Sequence, residues 1–497
     1  MQSQDIKPTD PKDDQIVENV ELNIWEALIP VLALIGMLFY NVFYAYGDSA
    51  LDGSNQFILL MGGAVAAIVG FFNKVKFDQM LEEVAINIKS TAGAILILLL
   101  VGALAGTWLI SGIIPTMIYY GLQILNPTIF LASCVIICAI ISVATGSSWT
   151  TSATVGIALV GIANALDISI GMTAGAILSG AYFGDKISPL SDTTNLAPAM
   201  AGTDLFTHIR YMLYTTVPTL IVTLIVFIII GLNLDTSGTA DTHLILAAVK
   251  DSINVSPWLF IVPIVVIFLI VKKTAPLIAL LIGTLLGAVA ALIFQPDIVA
   301  SIGGGSSLTF ENGYKGIMNA ITVDSAIPTE NEALKDLFSA GGMSGMLNTI
   351  WLILCAMVFG GIMDAIGALA AISKALLKLL HTTFGLFAST VASCLALNLT
   401  ASDQYLAIVV PGKMYAKAFK DKGLAPENLS RTLEDSGTVT SVLVPWNTCG
   451  AYHSGVLGVD TLHYAGYAIF NWLSPFMTLL FAAFRIKIRE LATSAKA

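Results

Sequence analysis

Charged residues are scarce along this chain of 497 residues: Asp, Glu, Lys and Arg make up 11% of it, against about 25% in a soluble domain. Hydrophobic residues make up 56%. Long apolar runs such as WLFIVPIVVIFLIV, from Trp258 to Val271, recur along the chain and do not alternate with polar residues. These runs exclude a soluble globular fold and a transmembrane β-barrel. The sequence therefore predicts an all-α polytopic membrane protein.

The sequence also lacks the motifs of metal and covalent chemistry. It contains no HExxH zinc motif and no CxxC pair, so nothing in it indicates an intramembrane enzyme or a bound cofactor. No basic patch indicates a nucleic-acid partner. The first 20 residues are polar and acidic, which predicts no cleaved signal peptide. The cysteines lie in or beside apolar segments and are expected to pack as small apolar side chains; they are Cys134, Cys138, Cys355, Cys394 and Cys449.

Apolar segments define the expected membrane spans. Several are shorter than the about 20 residues that one crossing needs, and these flank polar interruptions. Lys and Arg, which favour the cytoplasmic side, follow the second, eighth and last segments and predict a cytoplasmic N-terminus. The segments are 24–43, 57–72, 93–112, 127–144, 153–166, 170–184, 206–231, 257–272, 275–294, 347–366, 384–398, 405–418, 439–458 and 462–484, with amphipathic pieces at 77–89, 113–125 and 368–381.

The two halves of the chain resemble each other. With an offset of 255 residues, Thr145 and Ser147 fall on Thr400 and Ser402, and ATGSSW falls on LTASDQ. The first span runs outward, whereas its counterpart ends at Lys272 and runs inward, so the sequence predicts two inverted-topology repeats with broken transmembrane helices. The expected division is a polar cytoplasmic tail 1–22, a first repeat 23–235, a connecting loop 236–256, a second repeat 257–485 with a long polar extracytoplasmic loop 297–345, and a cytoplasmic tail 486–497.

Hydroxyl-rich sequence marks the two expected helix breaks. Seven of the ten residues from Thr145 to Thr154, in the stretch ATGSSWTTSATVG, carry hydroxyls directly after an apolar span, and NLTASDQ interrupts the second half at the matching position. A helix broken inside the membrane frees backbone groups that protein, ion or water must satisfy. Ser and Thr can also simply join helices, but two matched breaks favour a cavity lined by oxygen ligands, which suit a hard cation such as Na⁺.

Acidic residues between apolar spans extend this hypothesis. A charged Asp at mid-membrane costs about 2.5–3.5 kcal/mol on insertion scales and therefore indicates function. Asp192 and Asp403, each in hydroxyl-rich sequence, are candidates for ion binding and proton exchange, and Asp185 is a third, although the adjacent Lys186 offers it a partner. A buried carboxyl can hold either a proton or a cation, and that competition is sufficient for exchange.

Further candidates surround these acids. The expected neutral ligands are Thr145, Ser147, Thr193, Asn195, Thr400, Ser402, Asn447 and Thr448, and Ser188 and Trp149 are expected to shape the cavity. Three residues have open alternatives: Asp435 in the site or in a polar cytoplasmic loop, Asp364 in the site or near a membrane surface, and His453 as a pH sensor or a packing residue. Asp204 and Asp460 are expected to cap helices instead.

Longer motifs carry a family resemblance. GSSWTTSATVG, GDKISPLSDTTNLAP and GTDLFTHIRYM in the first half, with LTASDQYLAIVVPGKMY and LEDSGTVTSVLVPWNTCGAYHSGVLGV in the second, resemble the NhaC Na⁺/H⁺ antiporter family over residues 20–485. The resemblance implies a multi-pass secondary transporter of the bacterial inner membrane with inverted repeats, which moves Na⁺ and H⁺ through the lipid bilayer; a homodimer is compatible with it. Val442 stands where the family pattern has Pro.

The function expected from these features is Na⁺/H⁺ antiport by alternating access. The alternative is a Na⁺- or H⁺-coupled exchanger of organic anions of the malate/lactate type, which the family also includes. Such an exchanger would need a cationic or helix N-terminal site for the carboxylate, and the interior offers only Arg210 and Arg431, which resemble loop or interface residues. A channel would not require duplicated breaks that carry carboxylates.

Overall fold

The computed structural model describes residues 22–46, 53–124, 126–234, 242–272, 274–329, 335, 338–377 and 382–491. The expected tails lie largely outside these residues, since only Leu22 of the first and residues 486–491 of the second are described. The connecting loop 236–256 and the loop 297–345 are described in part.

Helices dominate the described chain. Numbered in chain order, they are α1 Ile24–Tyr40, α2 Ser54–Phe72, α3 Phe77–Ile110, α4 Ile113–Ile124, α5 Pro127–Thr145, α6 Ser148–Thr151, α7 Ile157–Ala165, α8 Ile170–Ile187, α9 Asp192–Ala201, α10 Leu205–Asn233, α11 Thr242–Ser252, α12 Ile261–Val271, α13 Pro276–Phe294, α14 Pro296–Ile302, α15 Phe310–Thr322, α16 Gly342–Gly345, α17 Leu347–Ala365, α18 Ala368–Leu377, α19 Thr383–Thr400, α20 Gln404–Asp421, α21 Pro426–Leu433, α22 Thr448–Leu457, α23 Thr461–Ala465 and α24 Ile469–Ala483. Shorter elements are the π-helical segments Asn41–Tyr46, Ser152–Gly156 and Glu434–Thr438, the 3₁₀ turns Pro257–Phe260 and Ser441–Leu443, and the antiparallel strands β1 Ser325–Ala326 and β2 Ser339–Ala340.

Within the described residues, eight helices are long and apolar enough to cross a membrane. They are α1 with its π-helical continuation, α2, α3, α5, α10, α13, α16 with α17, and α19. The chain from Leu246 to Val271, which contains most of α11 and all of α12, is a further candidate span that bends by 89° at its break. The predicted all-α polytopic membrane protein is therefore confirmed.

Two predicted segments differ from the structure. The amphipathic piece 77–89 is not separate from the span 93–112, because both belong to α3, a single helix of 34 residues. The segment 297–345 is not a simple loop, because its described part contains α14 and α15, which pack on each other and, through α15, on α3. A Cβ on Gly106 of α3 would lie 1.8 Å from the carbonyl oxygen of Ala320 in α15. Such backbone contact through small residues is how helices associate in membranes.

α5 and α8 pack in the same close manner and position the candidate site. A Cβ on Gly180 would lie 2.2 Å from the carbonyl oxygen of Val135, and one on Gly184 would lie 2.6 Å from that of Ala139. Because both contacts advance in the same direction along the two helices, α5 and α8 run parallel and end side by side. The chain breaks that follow Thr145 and Ile187 are therefore neighbours.

Candidate functional site

The first break follows α5. Gly146, directly after Thr145, has φ +70°, a left-handed conformation that glycine adopts without steric cost. A Cβ at this position would lie 2.8 Å from the backbone carbonyl carbon of Leu190. Ser147 then caps α6, since its hydroxyl accepts the backbone N–H of Thr150 at 3.1 Å. The chain thus ends one helix and begins another where the sequence predicts a break.

Asp185 lies opposite this break, near the end of α8. Its Oδ2 accepts two hydrogen bonds from Ser148, one from the backbone N–H at 3.1 Å and one from the hydroxyl at 2.6 Å. Ser148 is the first residue of α6, so the carboxylate also satisfies an N–H that the helix itself leaves free. These bonds fix the Asp185 carboxylate at the break and stabilise its charge.

The second break follows α19. Ser402 has φ +59°, and its carbonyl accepts the backbone N–H of Thr448 at 3.0 Å. Asp403 caps α20, its Oδ1 accepting two backbone N–H groups of the first turn at 2.8 and 3.1 Å. Asp204 caps α10 in the same way, at 3.0 Å. Asp403 caps its helix and also lines the cavity described below, whereas Asp204 does not line it, so capping alone does not separate the two.

Both breaks open into one cavity of about 650 Å³. It is lined by oxygen-bearing side chains from both halves of the chain. The predicted site residues that line it are Asp185, Asp192, Asp403, Thr145, Ser147, Thr193, Asn195, Thr448 and Trp149. Ser90, Thr91, Thr150, Ser191, Gln404 and Tyr405 line it as well.

Charge in this cavity has one sign. Among the described residues that line it there are three carboxylates and no Lys or Arg. Asp185, Asp192 and Asp403 all line this one space. Asp192 is exposed, whereas Asp185 and Asp403 are buried. Walls of one sign attract the opposite ion, so the cavity is suited to a cation.

The acids do not form a tight chelating cluster. In the described part of the chain, no three His, Cys, Asp or Glu side chains converge as a metal site would require. A cation in the cavity would therefore contact one or two carboxylates and complete its coordination with hydroxyl, carbonyl or water oxygens. Such partial coordination is compatible with an ion that must leave again.

Three predicted ligands shape the second break and do not line the cavity. Thr400 donates its hydroxyl to a carbonyl one turn earlier in α19 at 2.8 Å. Asn447 caps α22 by accepting the N–H of Cys449 at 3.0 Å, and its amide donates to Asn398. Ser402 is buried, and its hydroxyl has no hydrogen-bond partner among the described residues.

Ser188, His453 and Asp364 also lie outside the cavity lining. Ser188 donates to the carbonyl of Val143 at 2.9 Å and ties the end of α8 to α5. The His453 ring is fully buried 5.5 Å from the Tyr182 ring, and its nitrogens have no hydrogen-bond partner within the described chain. This position favours packing over pH sensing. Asp364 is half-buried in the last turn of α17.

Asp435 lies in a buried ion pair. Lys186 donates to its Oδ1, and both side chains are fully buried; the hydroxyls of Thr215, at 2.9 Å, and Thr478 donate to its Oδ2. Two expectations are corrected by this contact. Lys186 pairs with Asp435 and not with Asp185, and Asp435 belongs neither to a solvated loop nor to the cavity lining.

Of the two arginines considered for an anion site, Arg431 differs from expectation. Arg431 is fully buried, and its guanidinium carbon lies 4.5 Å from the ring centre of Tyr211, so it is not a loop residue. Arg210 is exposed. Neither lines the cavity.

A second cavity, of about 410 Å³, lies beside α22. Thr448, the first residue of α22, lines the first cavity, whereas Ala451, Ser454 and Gly455 of the same helix line the second. Trp149, which lines the first cavity, stacks on Tyr452, the residue after Ala451, with ring centres 3.9 Å apart. The Tyr452 hydroxyl donates to the carbonyl of Trp149 at 3.1 Å.

Sequence reasoning missed several of the residues that form the site. Ser148, the hydrogen-bond donor to Asp185, lay within the hydroxyl-rich stretch, so its signal was available. Ser90 and Thr91 form a hydroxyl pair in the first half of α3. A Ser-Thr pair in one helix is too ordinary to indicate a site without the contact that the fold supplies.

Comparisons with known proteins agree with this geometry. The model of the Na⁺/H⁺ antiporter family matches residues 180–486. The chain is 37% identical to the Na(+)/H(+) antiporter NhaC of Alkalihalophilus pseudofirmus over 84% of this chain and 87% of that protein. It is 35% identical to the NhaC antiporter of Bacillus subtilis, covering 79% of this chain and 84% of the relative. It is also 35% identical to the malate-2H(+)/Na(+)-lactate antiporter of Bacillus subtilis, covering 88% and 89%.

Proposed function

Because this chain belongs to the Na⁺/H⁺ antiporter family, we propose that it is a secondary transporter that exchanges Na⁺ for H⁺ across the bacterial inner membrane by alternating access. The observation that carries the proposal is the single cavity between the two helix breaks, with three carboxylates, several hydroxyls and no Lys or Arg among its described lining residues. The carboxylates of the wall supply the negative charge that attracts an entering cation.

Competition for the same carboxylates accounts for the exchange. Asp185, Asp192 and Asp403 bind either protons or Na⁺, because a bound cation favours the ionised carboxylate and a proton removes its charge. Hydroxyl and amide oxygens complete the coordination of Na⁺ without changing the charge; the proposed neutral ligands are Thr145, Ser147, Thr193, Asn195 and Thr448. Each turnover then moves Na⁺ one way and H⁺ the other.

The two cavities give alternating access a physical path. The first is also lined by Thr274 to Pro276, close to Lys272, which the positive-inside rule assigns to the cytoplasm together with the N-terminus. The second is lined by Gln56 and Asn348. These residues lie near the first residues of α2 and α17, at the ends of those spans that face away from the cytoplasmic side. We assign the first cavity to the cytoplasmic side and the second to the outer side, with the Trp149–Tyr452 stack closed between them.

This arrangement predicts one-sided thiol labelling. The five native cysteines are buried, so a new cysteine can be followed in the wild-type background. Ser90→Cys, in the first cavity, is expected to react with a membrane-impermeant maleimide in everted vesicles, and Ser454→Cys, in the second, only in right-side-out vesicles. Equal labelling of both variants from one side would contradict the assignment.

The function itself is tested by pH-dye fluorescence in everted vesicles from cells that lack other Na⁺/H⁺ antiporters. Addition of NaCl is expected to release the proton gradient, and LiCl and KCl define the cation preference. Vesicles without the protein supply the control. If neither NaCl nor LiCl moves protons in vesicles that contain folded protein, the proposed function is wrong.

Organic-anion exchange is the second candidate. One relative is named a malate-2H(+)/Na(+)-lactate antiporter, and a cavity of about 650 Å³ is within the range of small-molecule sites. The acidic lining opposes it, because a dicarboxylate would enter a negative cavity without a basic side chain among the described lining residues. Malate added to the same assay decides: malate-dependent proton movement would favour this candidate.

The breaks also support the proposal that the two halves are inverted repeats. In each half an apolar helix ends, a residue of positive φ follows, and a side chain caps the next helix. Gly146 and Ser147 have these roles in the first half, and Ser402 and Asp403, one residue later than the offset of 255 places them, have these roles in the second. The shared local geometry is expected of repeats that meet with broken helices at a transport site.

A further inference from the structure

A second group of ionisable side chains lies behind the cavity, in α21 and the π-helical turn Glu434–Thr438 that continues it. Arg431, Glu434 and Asp435 are all 0% exposed, and so is Lys186 of α8, which reaches them. Single π-helical turns within helices occur frequently at functional positions. We name these four residues the buried ionisable cluster.

Glu434 is the unpaired member of the two acids. Asp435 has an ion pair and two hydroxyl donors, whereas neither carboxyl oxygen of Glu434 has a hydrogen-bond partner in the described chain. The hydroxyl of Thr438, one turn further along, lies near Glu434 and also has no partner at hydrogen-bond distance. A buried carboxylate without donors costs far more than a neutral carboxylic acid in the same place. Glu434 is therefore held most stably with a proton on it.

Charged groups lie near Glu434 on its own element and on α8. Lys186, Asp185 and Asp435 are within electrostatic range of its carboxyl group. Arg431 precedes it by one turn and is itself influenced by Asp435 and by Tyr211 of α10. His208 of α10 is within range of Lys186, and its Nδ1 lies 2.7 Å from the hydroxyl of Ser430. From α24 the cluster receives the uncharged hydroxyl of Thr478.

From this geometry we propose that Glu434 is a proton-binding site separate from the cation cavity, coupled to it through the adjacent residues Asp185 and Lys186. The proposal rests on the proposed Na⁺/H⁺ exchange and adds to it the place where one transported proton is held. Asp185 belongs to the cavity lining, and Lys186 belongs to the buried ionisable cluster. The backbone of α8 therefore joins the two sites directly.

Charge balance supplies the coupling. With Na⁺ absent, the negative Asp185 partly offsets the positive charge of Lys186. When Na⁺ binds beside Asp185, that offset is lost, and the excess positive charge favours ionised Glu434. The O–H bond of the Glu434 carboxyl then breaks, the carboxylate keeps the electron pair, and the proton passes to water. Arrival of one cation and departure of one proton leave the total charge unchanged.

Proton release from purified protein tests this proposal without transport. Na⁺ is added to the detergent-solubilised full chain in weak buffer, and protons are followed with a pH dye while ²²Na⁺ binding is measured in parallel. We expect Glu434→Gln to bind Na⁺ but to release about one proton fewer per bound Na⁺ than the wild type. The matched control is Glu427→Gln, on the same helix and also buried, whose carboxyl instead pairs with Arg489 at 2.8 Å; it is expected to release protons as the wild type does.

The outcomes separate this proposal from the proposed function. Wild-type proton release by Glu434→Gln overturns the Glu434 site and leaves Na⁺/H⁺ exchange intact. Absence of Na⁺ binding by the wild type contradicts the exchange itself. If Glu434→Gln misfolds, the proposal is tested on the wild-type protein instead, by infrared difference spectra after labelling of the glutamate carboxyl groups. A protonated glutamic acid band that disappears as Na⁺ is added supports the proposal, and an unchanged carboxyl region overturns it.

Discussion

The variant Asp403→Asn is expected to fold but to need a much higher Na⁺ concentration to drive proton movement. Asn caps helices about as well as Asp, so the two hydrogen bonds from the first turn of α20 are kept and only the negative charge is removed. Two unit charges about 4 Å apart near a protein surface interact by about 4 kcal/mol. If removal of the Asp403 charge weakens Na⁺ binding by half of that energy, about 2 kcal/mol, the Na⁺ concentration for half-maximal exchange rises about 30-fold. The dye assay in everted vesicles measures the shift.

Asp204→Asn is the matched control for this experiment. Asp204 also caps a helix through a backbone N–H, at 3.0 Å, but it does not line the cavity. We expect this variant to exchange ions at the wild-type rate at equal protein level. Should Asp403→Asn behave like Asp204→Asn, the Asp403 charge has no part in ion binding.

A large loss of stability is expected for Lys186→Met. The substitution leaves the carboxylate of Asp435 fully buried without its cation, and breaking a buried pair in this way costs about 3–5 kcal/mol. Thermal unfolding in detergent, followed by size-exclusion chromatography, measures the change.

Two further variants show whether the cost comes from the unpaired charge. Lys186→Met with Asp435→Leu removes both charges and is expected to recover most of the stability, because apolar replacements of buried pairs are often neutral. Lys315→Met breaks an exposed pair with Glu311, where the two atoms are 2.6 Å apart, and is expected to leave the unfolding temperature close to that of the wild type. A wild-type unfolding temperature for Lys186→Met would show that the buried pair contributes little.

The helix breaks could be predicted from the sequence because local chemistry determines them. A glycine followed by Ser and Thr, directly after an apolar span, both ends one helix and caps the next. Gly146 and Ser147 have these roles in the structure. The same local signals placed Asp403 and Thr448 next to breaks, and both line the cavity.

The buried ion pair could not be predicted, because its partners are 249 residues apart in the sequence. Local composition even indicated the opposite, since the polar and basic sequence around Asp435 is typical of a solvated loop. Only the packing of α8 against the chain that follows α21 removes Lys186 and Asp435 from water. A single sequence carries no direct signal for such a contact.

The helices within the segment 297–345 could not be predicted for a related reason. Its polar residues indicated a loop, but α15 is amphipathic and its small residues meet other helices. Gly316 lies against the backbone of Val299, and Ala320 against that of Gly106. Small residues have low hydropathy and therefore leave little trace in an apolar pattern, although they permit the closest packing.

The glycine contacts between α5 and α8 restrict how the transporter can move. With Gly180 and Gly184 directly against backbone carbonyls, the two helices have no compressible layer of side chains at which one could slide along the other. Asp185 of α8 is therefore expected to move together with α5. Shear during the transport cycle must occur elsewhere, at surfaces where larger side chains such as Trp149 and Tyr452 can change rotamer.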